Sequence, residues 1–126
     1  MTPSRYDIGL ARLAEIDGAA GENVIAALAD VAPDLGRYVI EFGFGDIYSR
    51  PGLDLKSREL ATIAALTALG HAQPQLAVHL HAALNVGCTR NEIIEVIIQM
   101  ALYAGFPAAL NAMFTVKAVF NEVADA

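Results

Sequence analysis

The fold of this chain is decided by the stretch from Ser49 to Gly87, which reads SRPGLDLKSRELATIAALTALGHAQPQLAVHLHAALNVG. Two apolar segments of helical length are separated by Gly70 and followed by Gly87, and glycine directly after a helix is typical of a C-terminal cap. Asp54 is a suitable N-cap for the first segment, and Pro74 suits the first turn of the second. The stretch therefore predicts a helical hairpin, and its short turn predicts antiparallel packing.

The predicted hairpin carries two side chains able to exchange a proton. Glu59 lies within the second turn of the first helix and His79 lies on the second, twenty positions later. Antiparallel packing can bring the two together, and a buried carboxylate favours the protonated imidazole that a proton donor needs. The alternatives are a surface carboxylate at Glu59, beside the positive end of its helix, and a core histidine at His79 that is bonded to a carbonyl.

Helices are also predicted before the hairpin. The first covers residues 5–16, the second covers residues 21–31, and the third starts at residue 34, directly after Pro33. On the first helix the apolar side chains recur at helical spacing, which predicts a buried face made of Tyr6, Leu10, Leu13 and Ile16. Gly43 and Gly45 predict a weakened end of the third helix.

Two helices are predicted after the hairpin. Thr89 and Glu92 have the spacing of a capping box, so a helix is expected over Arg90–Ala104. This helix is apolar on most faces, which is typical of a buried helix. Gly105 ends it, and Pro107 begins a last helix that runs to about Glu122.

The composition bounds the class of protein. A chain of 126 residues fits one domain, here residues 1–126. Hydrophobic residues make up 56% and charged residues 17% of the chain. The high share of hydrophobic residues reflects either an alanine-rich helical protein or burial against other copies of the chain. The second interpretation predicts an oligomer. The net charge of −6, without a basic patch, excludes nucleic acid as a predicted partner.

The sequence also predicts the compartment and the absence of a metal. The first ten residues lack the apolar core of a signal peptide, and no apolar run is long enough for a membrane span. We therefore expect a cytoplasmic protein without a membrane partner. The single Cys88 excludes an intrachain disulfide and a cysteine-rich metal site, and with no basic cluster nearby it is predicted to be inert. The histidines and glutamates form no recognised metal motif.

Several segments together resemble a known family. SRPGLDL, SRELATIAAL, the helix around His79, HAALNVGCT and LYAGFPAALNA resemble the carboxymuconolactone decarboxylase family, in the same order and over nearly the whole chain. The resemblance implies an all-α fold, a small orthogonal or antiparallel helical bundle of the alkyl hydroperoxidase D-like type. It also implies a homohexamer built as a trimer of dimers.

The resemblance implies an activity as well. The best-known member of the family decarboxylates a small carboxylated lactone, 4-carboxymuconolactone, to the enol-lactone of 3-oxoadipate in the β-ketoadipate pathway of aromatic catabolism, and the resemblance implies a reaction of this type. The lactone carbonyl and the conjugated double bond delocalise the charge left by CO2, so no cofactor is expected. The alternatives are a thiol-linked peroxidase with peroxiredoxin activity, as in the alkyl hydroperoxidase D branch, and a non-catalytic oligomeric ligand-binding member.

Site residues follow from the resemblance position by position. Glu59 stands in an Arg-Glu-Leu segment whose Glu is a proposed proton-relay residue of the hydroperoxidase branch, whereas pathway decarboxylases commonly resemble Arg-Ser-Leu there. The family places a histidine at His79. Ala72 and Gln75 match the two cysteines of the hydroperoxidase Cys-x-x-Cys motif, so the dithiol reaction cannot be carried over. Gln75 remains a substrate-binding candidate.

Three further residues are candidates for holding the substrate. His81 matches a position where decarboxylases often have an arginine suited to gripping a carboxylate. It lies about 200° round the helix from His79, so it does not enter the same intrachain cleft. His81 either faces a subunit boundary or is an ordinary exposed residue. Arg50 either holds an anionic substrate or is solvated before a turn, and Tyr48 is a weaker candidate.

Overall fold

A computed structural model describes residues 2–123, and all regular structure in this range is helical. The predicted all-α class is therefore confirmed. The elements are α1 (Arg5–Asp17), α2 (Ala19–Leu28), α3 (Pro33–Tyr38), a π-helix (Val39–Ile47), α4 (Leu55–Leu69), α5 (Gln73–Asn85), α6 (Arg90–Ala104) and α7 (Phe106–Val123). None of these helices is long and apolar enough to cross a membrane. The backbone divides after Leu55 into two compact units, so a single domain remains a prediction.

In the first unit, α1 packs against the π-helix at very close range. A Cβ atom at Gly9 would lie 1.9 Å from the carbonyl oxygen of Ile40, and one at Gly45 would lie 2.6 Å from that of Arg5. Only glycine fits at both positions, because any side chain would collide with backbone. The helical backbone continues past Gly43 and Gly45 to Ile47. The predicted weakening of the helix at these glycines is therefore wrong, since Gly45 serves the packing of α1.

The buried face of α1 also differs from the prediction. Tyr6 and Leu10 are exposed by 38% and 40%, whereas Leu13 and Ile16 are buried as expected. Gly9 is buried at the contact with the π-helix. The hydrophobic spacing missed this rotation because glycine has no side chain to register as apolar. The second helix ends at Leu28, three residues earlier than predicted, and a turn leads to Pro33 in the first turn of α3.

The helix boundaries of the second unit follow their local signals. The N–H of Cys88 donates to the carbonyl of Ala83 at 2.9 Å, and that of Gly87 donates to Leu84 at 3.2 Å. With Gly87 at a φ of 103°, these bonds form a Schellman motif at the end of α5. Thr89 and Glu92 form the predicted capping box at the start of α6. The expected bounds of α6 are confirmed.

The core of the second unit is built by the inner faces of its four helices. Its buried members are aliphatic side chains, alanines and one thiol: Ile63, Leu76, Leu80, Ala83, Cys88, Ile93, Ile97, Ala109, Ala112, Val116 and Val119. On α6 only Ile93 and Ile97 are fully buried. Leu102 and Tyr103 are 76% and 75% exposed, so the chain by itself does not bury this helix on all sides. Its burial in an assembly remains a prediction.

Candidate active site

The two helices of the hairpin bring Glu59 and His79 into direct contact. Oε1 of Glu59 lies 2.8 Å from Nδ1 of His79, although the residues are twenty positions apart. Glu59 projects from the inner face of α4, one turn before Ile63, and His79 precedes the fully buried Leu80 on α5. The packing of the aliphatic side chains thus fixes the position of a polar pair at the edge of the core.

The carboxylate of Glu59 is completely removed from solvent. Its exposed fraction is 0%, and Oε2 has no hydrogen-bond partner among the described residues. A buried carboxylate with only one satisfied oxygen costs free energy relative to an apolar side chain of similar size. A leucine or methionine of similar size would leave no such unsatisfied oxygen in the core.

His79 connects the buried carboxylate with the surface. Its side chain is 20% exposed, so part of it lies at the surface. Contact of Nδ1 with a carboxylate fixes the orientation of the ring and favours a proton on that nitrogen. Nε2 then becomes the ring nitrogen that can give or take a proton, an arrangement in which a carboxylate orients a general acid or base.

The other histidines lie elsewhere. Nε2 of His81 is 3.0 Å from Oε2 of Glu122 on α7, so this imidazole already has an anionic neighbour within the chain. His71 is exposed in the turn between α4 and α5, and Gln75 is exposed on the first turns of α5. The structure therefore pairs Glu59 only with His79 among the three histidines.

Tyr48 and Arg50 belong to the first unit. The ring of Tyr48 stacks on that of Phe44 with centroids 5.3 Å apart. Arg50 is exposed, and its backbone N–H donates to Ile47 at 3.1 Å, directly after the π-helix. Their predicted contribution to substrate binding remains a prediction.

Cys88 lies inside the second unit. It is 4% exposed, and its Sγ lies 3.5 Å from the carbonyl oxygen of Lys56, to which the thiol donates. The positive charge of Lys56 is directed at Glu92, because Nζ of Lys56 forms an ion pair with that carboxylate at 2.9 Å. A buried thiol reacts slowly with peroxides and disulfides, because attack requires an accessible thiolate.

Sequence reasoning missed one polar residue on the inner face of α4. Thr67 is 1% exposed, and its Oγ1 has no hydrogen-bond partner in the described part of the chain. Glu59, Ile63 and Thr67 recur every four residues and form the entire buried stripe of the helix. The four-residue spacing is visible in the sequence, but no feature of the sequence distinguishes this buried threonine from a threonine at the surface.

The described residues contain no cluster of three or more histidine, cysteine, aspartate or glutamate side chains suited to a metal ion. Glu59 and His79 are side chains that can transfer a proton and form hydrogen bonds.

Residues 33–118 match the carboxymuconolactone decarboxylase family. The chain is 38% identical over 120 residues to the 4-carboxymuconolactone decarboxylase of Acinetobacter baylyi. The matched region covers 94% of this chain and 89% of that protein. It is 38% identical to an uncharacterized 15.0 kDa protein of Paracoccus denitrificans, over 76% of this chain and 72% of that one. It is 34% identical to a nitrosuccinic acid decarboxylase of Metarhizium robertsii, over 69% and 60% of the two chains. The chain belongs to the carboxymuconolactone decarboxylase family.

Proposed function

We propose that this protein is a cofactor-independent carboxy-lyase that removes CO2 from a small carboxylated lactone of the 4-carboxymuconolactone type. The observation that carries the proposal is the contact between the buried Glu59 and the partly exposed His79. Two relatives named as decarboxylases support the reaction class. The proposal places the protein in the cytoplasm, in aromatic catabolism, as a homohexamer.

The reaction needs one proton and no external electrons. The bond between the ring carbon and the carboxylate breaks, CO2 leaves, and the electron pair stays on the substrate. The lactone carbonyl and its conjugated double bond take up this charge as a dienolate. His79 then delivers a proton from Nε2 to carbon, giving the enol-lactone, and regains a proton from solvent. Stabilisation of the developing anion by a fixed imidazolium is the main contribution expected of the protein.

In this mechanism His79 is the catalytic residue and Glu59 is a positioning residue. Glu59 acts through Nδ1 of His79, where it holds the ring and offsets the positive charge of the imidazolium. For the substrate carboxylate, Gln75, Arg50 and Tyr48 remain the proposed contacts. His81 would have to exchange its contact with Glu122 for the substrate, which makes it the least favourable of the four.

The name of the Metarhizium relative suggests a second substrate class for the same site. In nitrosuccinic acid one carboxyl group is attached to the carbon that carries the nitro group. Loss of CO2 from that carbon leaves an electron pair that the nitro group delocalises, just as the lactone carbonyl does. A carboxylate next to an electron-accepting group is therefore the feature that the two substrates share.

The peroxidase alternative finds no support in the thiol chemistry of the chain. Ala72 and Gln75 occupy the positions that resemble the hydroperoxidase dithiol, and Cys88 is buried. A peroxidase cycle requires an accessible thiolate and a partner that resolves the oxidised sulfur. The non-catalytic alternative does not explain why a carboxylate with one unsatisfied oxygen is kept inside the core.

The proposal is tested by measuring CO2 release and the loss of lactone absorbance with 4-carboxymuconolactone, and with nitrosuccinic acid in parallel. We expect turnover of the lactone by the parent protein and a loss of about 10²–10⁴-fold in His79→Ala, the range of a general acid or base. Asn85→Ala, an exposed change on the same helix, is the matched control and should retain the parent rate.

Two results would contradict the proposal. One is a parent protein that releases CO2 from neither compound, with circular dichroism showing an intact helical fold. The other is a His79→Ala variant that keeps the parent rate. Turnover of nitrosuccinic acid alone would retain the reaction class and the proton donor, and would replace the lactone as substrate.

A further inference from the structure

Helices α6 and α7 expose a set of large apolar side chains. It consists of Ile98, Leu102, Tyr103, Phe106, Leu110 and Phe114, with exposed fractions of 54%, 76%, 75%, 74%, 52% and 66%. We call these six residues the α6–α7 band. Ile98 and Leu102 are four residues apart, as are Phe106, Leu110 and Phe114, so each helix presents one continuous ridge.

The exposed area of this band exceeds that of the largest apolar patch on a typical monomer. At about 150–200 Å² for each fully exposed side chain of this size, the six fractions correspond to roughly 600–800 Å². The largest apolar patch on a typical monomer is about 300–600 Å². One partner in a specific interface contributes roughly 800 Å². The band by itself therefore provides most of one side of an interface.

The band has a protruding end and a recessed end. Leu102, Tyr103 and Phe106 are the most exposed and lie at the turn where α6 passes into α7. At the other end, Phe114 borders a shallow groove formed with His71, Pro74 and Ala118, among others. A surface that carries both a knob and a groove can be complementary to itself.

The spacing of the apolar residues along α7 allows a two-fold rotation to exchange the two ends of the band. Phe106 precedes Leu110 by four residues, and Phe114 follows it by four, so Phe106 in the knob and Phe114 beside the groove each lie about 6 Å from Leu110 along the helix axis. A two-fold rotation about a line through Leu110 exchanges the two ends. It places the knob of one copy against the groove of the other, twice per contact.

We propose that the α6–α7 band binds the same band of a second copy, with the two α7 helices antiparallel and Leu110 at the two-fold axis. The two α6–α7 hairpins then form a four-helix bundle, and the exposed apolar ridges become its core. This inference rests on the assembly part of the proposed function and names the surface of one of its contacts. It does not depend on the decarboxylase reaction.

Disulfide crosslinking through Leu110→Cys tests the position of the axis. Helices packed 8–10 Å apart bring facing Cα atoms to about 4–6 Å, which is within the range that a disulfide spans. We expect oxidation of this variant to give a covalent dimer on a non-reducing gel. The control is Val31→Cys, which is 77% exposed in the first unit and should give no comparable dimer. Cys88 is buried and present in both variants.

Charge reversal of the surface provides the second test. Leu110→Asp places two carboxylates at the axis, so light scattering should show a particle of half the parent mass or less. Leu35→Asp introduces the same charge at a leucine of equal exposure, 52%, on α3 and should leave the mass unchanged.

The outcomes separate this inference from the proposed function. If neither Leu110 variant differs from its control while the parent protein is oligomeric, the α6–α7 band is not the contact, and the proposed assembly stands through another surface. A monomeric parent overturns both. An unchanged decarboxylation rate in a protein that loses assembly leaves the proposed reaction intact.

Discussion

Helices α4 and α6 have the same length and the same role in the core of the second unit, but their buried stripes differ in chemistry. Each has 15 residues, and each turns side chains spaced four apart into the same apolar cluster. On α6 the stripe is Ile93 and Ile97. On α4 it is Glu59, Ile63 and Thr67, with one unsatisfied oxygen on each of the two polar side chains among the described residues.

We propose that this difference separates stability from function within one core. An isoleucine on α6 contributes favourable transfer free energy and packing, whereas a buried carboxylate on α4 costs free energy that only its hydrogen bond partly offsets. A protein under selection for stability alone would fill both stripes with aliphatic residues.

Shortening a side chain of the apolar stripe should have the largest effect. Ile97→Ala removes buried methyl groups and leaves a cavity, so the free energy of unfolding should fall by about 2–5 kcal/mol. Chemical denaturation measures this change, and Glu95→Ala, an exposed position on α6, should stay within about 0.5 kcal/mol of the parent. If Ile97→Ala lowers the free energy of unfolding by less than about 1 kcal/mol, the apolar stripe of α6 does not contribute the stability expected of it.

Changing the polar stripe should affect catalysis more than stability. Glu59→Gln keeps the size and polarity of the side chain but removes its charge, so kcat/KM should fall by about 10²-fold. Its pH profile should change as well, since an uncharged amide cannot offset the positive charge of the imidazolium that the carboxylate contacts at 2.8 Å. Glu95→Gln is the charge-matched control. An unchanged profile and rate would show that Glu59 has no part in proton transfer.

Removing the cap of α6 should have a smaller effect. Thr89→Ala deletes the hydroxyl that accepts the N–H of Glu92 at 3.0 Å, and such a loss costs about 1 kcal/mol.

Hydrogen bonds from Lys56 first, and from the backbone of Thr89 second, lower the pKa of Glu92. A lowered pKa stabilises the fold above the unfolded pKa, and this contribution is lost as pH falls through the folded pKa. The parent should therefore be more stable than Lys56→Met at neutral pH. This difference in the free energy of unfolding should become smaller in acid.

The smallest effect on activity is expected at Cys88. Cys88→Ser retains a donor for the carbonyl of Lys56, so decarboxylation should stay essentially at the parent rate. A modest decrease in stability is expected, because a hydroxyl is less favourable than a thiol in the apolar core. If peroxide turnover is detected in the parent and disappears in this variant, the peroxidase alternative replaces the decarboxylase proposal.

The hairpin was predictable because its signals are local. Gly70, Pro74 and Gly87 mark where two helices end and begin. The antiparallel packing expected from the short turn between them remains a prediction. The expected contact of Glu59 with His79 is present. The capping box at Thr89 likewise depends on residues three apart, and it fixed the start of α6.

Errors arose where a distant segment decides the outcome. Gly45 lies in the π-helix as a point of close approach to the backbone at Arg5, forty residues earlier. No local pattern distinguishes such a glycine from one that ends a helix. The pairing of His81 with Glu122 across α5 and α7 was equally invisible, because it depends on which faces of the two helices meet.

The sequence by itself determined the helical class, the ends of the main helices and the family to which the chain belongs. These properties depend on residue spacing, caps and motifs that remain the same wherever the segments lie in space. Only the tertiary structure decided that Glu59 is fully buried, that Thr67 is buried with it, and that the outer ridges of α6 and α7 are exposed. Burial depends on which surfaces meet, and hydrophobic periodicity gives a helix an apolar face without specifying the surface that covers it.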